Sequence, residues 1–427
     1  MSRAVLTGVG VVSAFGIGRE PLFQGLLAGG TAVRRIRSFD ASNLPSSVAG
    51  EVPVETIDAA FMTSHAAGGD PALLETWARD GYFRDRKVAL GLLAALEAWS
   101  MAGCRPEEQE AGLSIALGME HTFFEDLAHL YDGQAFDWTR EPTAPLPKVR
   151  LRAPFDLTAR LIAQHLRLTG PQALHASACA GGALAVAHAA AQIERGQAQV
   201  VLCGAADSMV EPFGLGGITR LGAPSPRNAP DACRPFDRRR DGTVMGEGAA
   251  MFVLESEERA RSRGARPLAR VLGFGSTQDA YRLSAPRPDG VPARRAMERA
   301  LQRARLAPDQ VGYINAHGTG TPLNDAAEAR AIHAAFGAWG AKVPVSSIKG
   351  AVGHLMAASG AIEIAACLLP FERELLPGTA NYQEADPECA LNVLGPAAVE
   401  ARVEAVLTNS FGFGGQNATV ILGRPCP

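Results

Sequence analysis

The chain has 427 residues, 47% of them hydrophobic and 20% charged, a composition that can bury a large core and excludes a disordered protein. A formal net charge of -3 leaves no global field to draw it to nucleic acid or to an anionic membrane. Seven cysteines, at 104, 179, 203, 233, 367, 389 and 426, form an odd set without CxxC spacing, which points to free thiols in a reducing, cytoplasmic compartment.

The opening MSRAVLTGVGVV runs straight into an apolar strand expected over 3–12, with no signal-peptide cleavage site behind it. Further strands are expected over 113–118, 199–207, 249–255, 269–275, 311–317 and 343–348. Helices are expected over 87–101, 157–167, 180–195, 292–305, 325–337 and 358–371. Strands alternating with helices predict an α/β class in which buried strands read as near-continuous apolar runs. The uncharged stretch between Arg167 and Glu194 is long enough to span a bilayer, but its His, Gln, Ser, Thr and Pro residues favour a helix buried in a globular core. The 130–155 segment, rich in proline (Pro142, Pro145, Pro147, Pro154), predicts a surface or dimer-edge loop. The end, VEAVLTNSFGFGGQNATVIL, reads as a hairpin turning at 412–415.

The two halves share an outline. Cys179 is followed by AGGALAVAHAAAQIE and His354 by LMAASGAIEIAACLL, so an internal duplication is expected, with halves 1–256 and 257–427.

Four segments could carry chemistry. Cys179 sits among small residues just before a helix, where free N–H groups and the dipole would lower its pKa, although a lone cysteine more often serves as a small buried hydrophobe. His317 ends a strand and enters a Gly/Thr loop. Asn324 or Asp325 would cap the helix that follows, and Glu328 would complete a capping box. Lys349, His354 and Glu363 punctuate an apolar segment. A Lys349–Glu363 pair orienting His354 would offset the burial of both charges, the alternative being that both reach the surface. The glycines of SFGFGG would let backbone amides approach a ligand and form an oxyanion hole. GVGVVS at 8–13 lacks the third glycine of a dinucleotide fingerprint, and MEHTFFEDLAHL is not HExxH, so neither a dinucleotide nor a metal is expected.

Taken together, ACAGG around Cys179, NAHGTGTPLND, SSIKGAVGH and NSFGFGG, with RPFDRRRDGTVMGEGAAMFVLE and GFGSTQDAYRLSAPRPDG between them, resemble the β-ketoacyl-acyl carrier protein synthases over essentially the whole chain. These are elongating condensing enzymes of fatty acid or type II polyketide synthesis. The resemblance implies a thiolase-type fold with two similar halves in an α/β/α/β/α layering. It implies an acyltransferase in which Cys179 is acylated from an acyl carrier protein, and His317 and His354 bind the malonyl thioester carbonyl and promote decarboxylation. Lys349 would set the electrostatics of the pocket and Glu363 would pair within that network. Thr319 and Thr321 would hydrogen-bond the phosphopantetheine arm of the carrier protein, with no other cofactor. The amides of Cys179 and Phe413 would form the oxyanion hole, Phe413 also acting as a gate. The resemblance further implies a dimer, either a homodimer or a heterodimer with a chain-length-factor-like chain.

The family's acyl-pocket strand usually runs into small residues, whereas here Met119, Glu120, His121, Thr122 and Phe123 follow it. Met119, His121 and Phe123 are expected to line an acyl pocket that takes a short, polar, aromatic or polyunsaturated group, as in a specialised polyketide or polyene pathway. A thiolase would need a second cysteine in the C-terminal loop, where only Cys426 remains near the end. A non-catalytic chain-length-factor-like subunit would lack Cys179. A basic rim for an acidic carrier protein is sought among Arg84, Arg86, Lys87, Arg220 and Arg238.

Overall fold

The computed structural model describes residues 3–55, 57, 71–104, 110–141 and 148–425. Pro142, Pro145, Pro147 and Cys426 lie outside them. The main sheet has twelve strands among the described residues, two of them the short Gly16–Ile17 and Asn392–Val393 at its margins; the other ten are β1 Ala4–Ser13, β2 Gly112–Leu117, β3 Gln172–His175, β4 Val200–Ser208, β5 Glu247–Ser256, β6 Ala269–Gln278, β7 Tyr313–Asn315, β8 Pro344–Ser346, β9 Ala405–Gly412 and β10 Gln416–Gly423. Every residue of β1, β2, β4 and β5 is buried, which is why they read as unbroken apolar runs.

The strand order is β3-β2-β4-β5-β1 in the first half and β8-β7-β9-β10-β6 in the second, so the same five-strand path occurs twice. In each path the first three strands are parallel and the last two antiparallel. The paths join through an antiparallel contact of β1 with β6, Val5 opposite Arg270 and Leu6 opposite Ala269.

Helices supply the other layers. α1 Arg86–Met101 and α2 Leu157–Leu166 cover the outer face of the first path, while α4 Val291–Ala304 and α5 Pro322–Phe336 cover the second. Between the two paths, α3 Gly181–Glu194 packs on α6 Ser359–Ala366 and touches strands of both. A Cβ on Gly182 would stand 2.5 Å from the Ala361 nitrogen, and one on Gly360 2.6 Å from that of Ala183. This close crossing is the reason the two central helices are written in alanine and glycine.

Several boundaries differ from expectation. Only 181–194 of the uncharged stretch is helical; Gln172–His175 is a parallel edge strand with Gln172 and Leu174 exposed, so its polar alternation hides it from an apolar-run reading. The helix expected over 358–371 breaks after Ala366 and resumes at Leu369–Arg373. α5 starts at Pro322, with Thr321 before it, because proline's fixed φ suits a first helical position. Asn324 and Asp325 therefore lie inside the helix instead of capping it, and Glu328 makes no capping box. Residues 131–141 lie largely at the surface, Trp138 being 72% exposed, whereas Leu130, Val149 and Ala153 are buried, so the expected surface loop holds for only part of 130–155.

Candidate active site

β3 delivers the thiol. After it, Ala178 takes φ +43° and Cys179 sits in the single 3₁₀ turn Ala178–Ala180 that leads into α3. Cys179 is buried, its sulfur 4.0 Å from Sδ of Met356. The end of β9 lies against this turn: a Cβ on Gly412 would be 3.1 Å from the Ser177 oxygen and 3.2 Å from the Cys179 nitrogen. The amides of the following Phe413 and of Cys179 itself act on the sulfur, each favouring its charged form. Burial pushes the thiol up to about 12, against the lowering pull of the Lys349 charge and the Phe413 amide. Burial thus opposes the lowering expected from a helix N-terminus.

Two histidines come to the same cavity by different supports. His354 accepts at Nδ1 from the Met356 amide at 2.9 Å, with Ser359 Oγ at 3.0 Å. An amide can only donate, so the neutral ring carries its proton on Nε2. His317 has Lys349 Nζ 3.2 Å from Nδ1, and an ammonium also only donates, so its proton likewise lies on Nε2. Burial, then the Lys349 charge, holds both imidazoles well below their ordinary range and thus neutral. The rings stand 5.4 Å apart, nearly perpendicular.

Lys349 donates to the His317 carbonyl at 2.6 Å and pairs with Glu363, both side chains being 1% exposed. The pair thus orients His317 and not His354, which corrects the sequence expectation. The reason is topological: β7 and β8 are parallel neighbours, so the residues after them meet. Burial raises the Glu363 carboxyl to about 7, opposed by Lys349. Ser410 Oγ donates to its other oxygen at 3.3 Å.

Two further carboxylates were not singled out for this task. Glu328 accepts from the amides of His317 at 2.9 Å and Gly318 at 2.8 Å. Asp325 accepts from those of Thr319 at 3.0 Å, Gly320 at 3.2 Å and Phe236 at 2.8 Å. Spaced three apart on α5 and fully buried, they tie down the glycine-rich loop that presents His317. Burial raises both, Glu328 to about 7. The readable signal is a pair of acids three apart in an alanine-rich helix beside that loop.

Cys179, His317, His354, Thr319, Thr321 and Phe413 all line one cavity of about 420 Å³. Thr319 and Thr321 hydroxyls lie 2.8 Å apart. Lys349 and Glu363 stand behind His317. Met119, His121 and Phe123, expected at an acyl pocket, do not line this cavity. Met119 is 64% exposed, Phe123 is buried beneath the Arg84 guanidinium at 4.1 Å, and His121 lies between Asp85 and Glu211. The basic-rim candidates also divide: Arg84, Arg86 and Lys87 are engaged with Asp126, Glu247 and Asp85, while Arg220 and Arg238 are exposed, Arg238 paired with Glu384 at 3.0 Å. Arg282 lines the cavity mouth.

Among the described residues no group of three or more His, Cys, Asp or Glu could hold a metal, and no helix is long and apolar enough to cross a membrane. The sequence matches "Beta-ketoacyl synthase, N-terminal domain" over residues 1–260 and "Beta-ketoacyl synthase, C-terminal domain" over 268–383. It is 36% identical over 435 residues to the tetracenomycin polyketide synthase ketoacyl synthase alpha subunit of Streptomyces glaucescens, covering 99% of this chain and 97% of that one. It is 35% identical over 428 residues to 3-oxoacyl-[acyl-carrier-protein] synthase 2 of Coxiella burnetii, covering 99% and 98%. Among solved structures, the ishigamide ketosynthase/chain length factor matches with a TM-score of 0.84, 33% identity and 99% of both chains. A type II polyketide synthase acyl-carrier protein in complex with its ketosynthase bound to the hexaketide matches with a TM-score of 0.84 and 26% identity, again over 99% of both chains.

Proposed function

The chain belongs to the β-ketoacyl synthase family, and from that premise we propose that it is a β-ketoacyl-acyl carrier protein synthase, condensing malonyl units in a polyketide, polyene or fatty acid pathway. One observation carries the assignment of roles: a buried thiol shares a cavity with two neutral imidazoles that both keep their N–H on Nε2.

In the first half-reaction the Cys179 sulfur attacks an acyl thioester, and the thiol proton leaves with the departing carrier thiol. The amides of Cys179 and Phe413 receive the oxyanion. In the second, malonyl thioester loses CO₂ and the electron pair moves onto its carbonyl oxygen, where His317 and His354 donate from Nε2 without a metal. The enolate carbon attacks the acyl-Cys179 carbonyl, the tetrahedral oxyanion collapses, and sulfur leaves and takes up a proton. Lys349 keeps His317 a donor toward the cavity by occupying its Nδ1. Phe413 gates the thiol, and Thr319 and Thr321 bond the phosphopantetheine arm of an acyl carrier protein. A solved neighbour that is itself a carrier-protein complex supports that partner.

The repeated strand order supports a division into halves 1–256 and 257–427, the first carrying the nucleophile and the second the histidines. The ketosynthase/chain length factor neighbour supports a dimer, a heterodimer being the form to seek first. The thiols of Cys179, Cys203, Cys233, Cys367 and Cys389, all free of disulfides, support a cytoplasmic location. A thiolase would need a second thiol in the cavity, and Cys179 supplies the one cysteine in its lining.

Cys179→Ala tests the reading. Acylation from an acyl carrier thioester and condensation should vanish, while release of CO₂ from malonyl carrier protein continues. Condensation surviving in the variant would sink the assignment.

A further inference from the structure

His317 and His354 reach the cavity with unlike support at Nδ1. His317 has the Lys349 ammonium there at 3.2 Å, with Glu363 behind it. His354 meets two neutral groups instead, the Met356 amide at 2.9 Å and Ser359 Oγ at 3.0 Å. The amide can only donate, so Nδ1 of His354 is an acceptor. A hydroxyl facing an acceptor must donate, which fixes the direction of the Ser359 bond.

Ser359 is the first residue of α6 and is 1% exposed. The helix start takes no side-chain cap, Ala358 standing at the cap position, and the Ser359 hydroxyl bonds the imidazole. The other half supplies a comparison. Gly181 is the first residue of α3 and directly follows the turn Ala178–Ala180, as Ser359 directly follows Met356–Ala358. A Cβ on Gly181 would stand 2.8 Å from that of Ala116, so no side chain fits after the first turn. The second turn leaves room, and the chain fills it with a hydroxyl aimed at His354.

Resting on the condensing reading above, we propose that Ser359 is a positioning residue for decarboxylation: with the Met356 amide, its hydroxyl holds His354 as a donor from Nε2, as Lys349 holds His317. A hydrogen bond from a charged donor is roughly twice as strong as a neutral one. Two neutral donors on one ring thus stand against one ammonium on the other. When the malonyl thioester loses CO₂, the electron pair of the broken bond moves to the carbonyl oxygen, and both rings present N–H to that oxygen without giving up the proton. Donors on Nδ1 polarise the ring and strengthen the bond made by Nε2–H. Without the hydroxyl, one amide alone holds the ring, which is aimed less tightly and polarised less.

The test compares CO₂ release from malonyl carrier protein with acylation of Cys179, using the full-length protein and any chain that co-purifies. Ser359→Ala leaves Nδ1 its amide partner and strands no other buried polar group, so it is expected to fold. It should slow CO₂ release by roughly 3- to 10-fold, the worth of one neutral hydrogen bond. Acylation of Cys179 should change by less than about twofold, and so should CO₂ release when Ser359→Ala is added to His354→Ala. Should Ser359→Ala fail to fold, Ser359→Cys keeps a weaker donor on the same stem and should slow CO₂ release in the same direction. Unchanged CO₂ release in a folded variant, an equal fall in acylation, or the same loss in the His354→Ala background overturns the positioning role. A wild type that neither acylates Cys179 nor releases CO₂ overturns the condensing reading and this role with it.

Discussion

The turn that carries Cys179 and the turn Met356–Ala358 are one backbone device used in both halves. Each is a single 3₁₀ turn opened by a residue at positive φ, Ala178 at +43° and Met356 at +46°, and each feeds a central helix. Each closes with an equivalent bond, Ala180 to Ser177 at 3.1 Å and Ala358 to Leu355 at 2.9 Å. The middle residues differ. Ala357 gives its amide to Asp207, while the position of Ala357 is taken in the first turn by Cys179, whose amide acts on its own sulfur. The approaches differ too: residues 176–177 join β3 to the first turn, and 347–355 join β8 to the second. The longer approach holds Lys349 and His354. The repeated strand path thus carries Cys179 on the short connection and Lys349 and His354 on the long one.

The largest break in that division is expected at Lys349. Lys349→Met strands Glu363 and should lower stability by about 3–5 kcal/mol, read as a shift in urea midpoint. Glu363→Gln combined with it should recover much of the loss. A single variant as stable as wild type would show that the pair is not a buried one in solution.

Next come the imidazoles. His317→Ala and His354→Ala should each slow malonyl decarboxylation by roughly 10²–10³-fold, the usual effect of losing one oxyanion donor. Equal rates in wild type and either variant would remove that residue from the step.

A smaller effect is pH dependence. Both imidazoles are held neutral in the fold but protonate below about 6.5 in the unfolded chain. The unfolded state then binds more protons, so each histidine lowers stability as pH falls below about 6.5, by up to about 1.4 kcal/mol per unit. Glu328 and Glu363, raised from 4.5 to about 7, act oppositely, losing stability as pH rises through that window. They are common to wild type and His354→Asn, so the difference between the two urea series at pH 5.5 and 7.5 isolates His354. The variant should show the shallower loss at the acid end, and parallel series would contradict a neutral His354.

The smallest effect is expected at Ala178. Glycine there relieves positive φ but frees the unfolded chain, so Ala178→Gly should change stability by under about 1 kcal/mol. A larger loss would mean that the methyl group packs against the site and that the two turns are less alike than their backbones.

The residues proposed to carry the chemistry were legible because the motifs around Cys179, His317, His354 and Phe413 are contiguous. The apolar strands were legible because strands buried on both faces leave no polar interruptions. β3 escaped because an edge strand alternates, and its residues are half exposed. The choice of His317 as the partner of Lys349 escaped because it depends on two parallel strands lying side by side. Glu328 and Asp325 suggested a helix cap until Pro322 began the helix earlier and turned both acids onto the His317 loop.

By itself, then, the amino-acid sequence determined which side chains could act, where the apolar strands and central helices run and that two halves resemble each other, all properties of short stretches of chain. Tertiary structure alone decided the protonation of those side chains and their partners. A thiol raised to about 12, two neutral imidazoles and a buried lysine between His317 and Glu363 all follow from desolvation and from neighbours that lie far off in sequence.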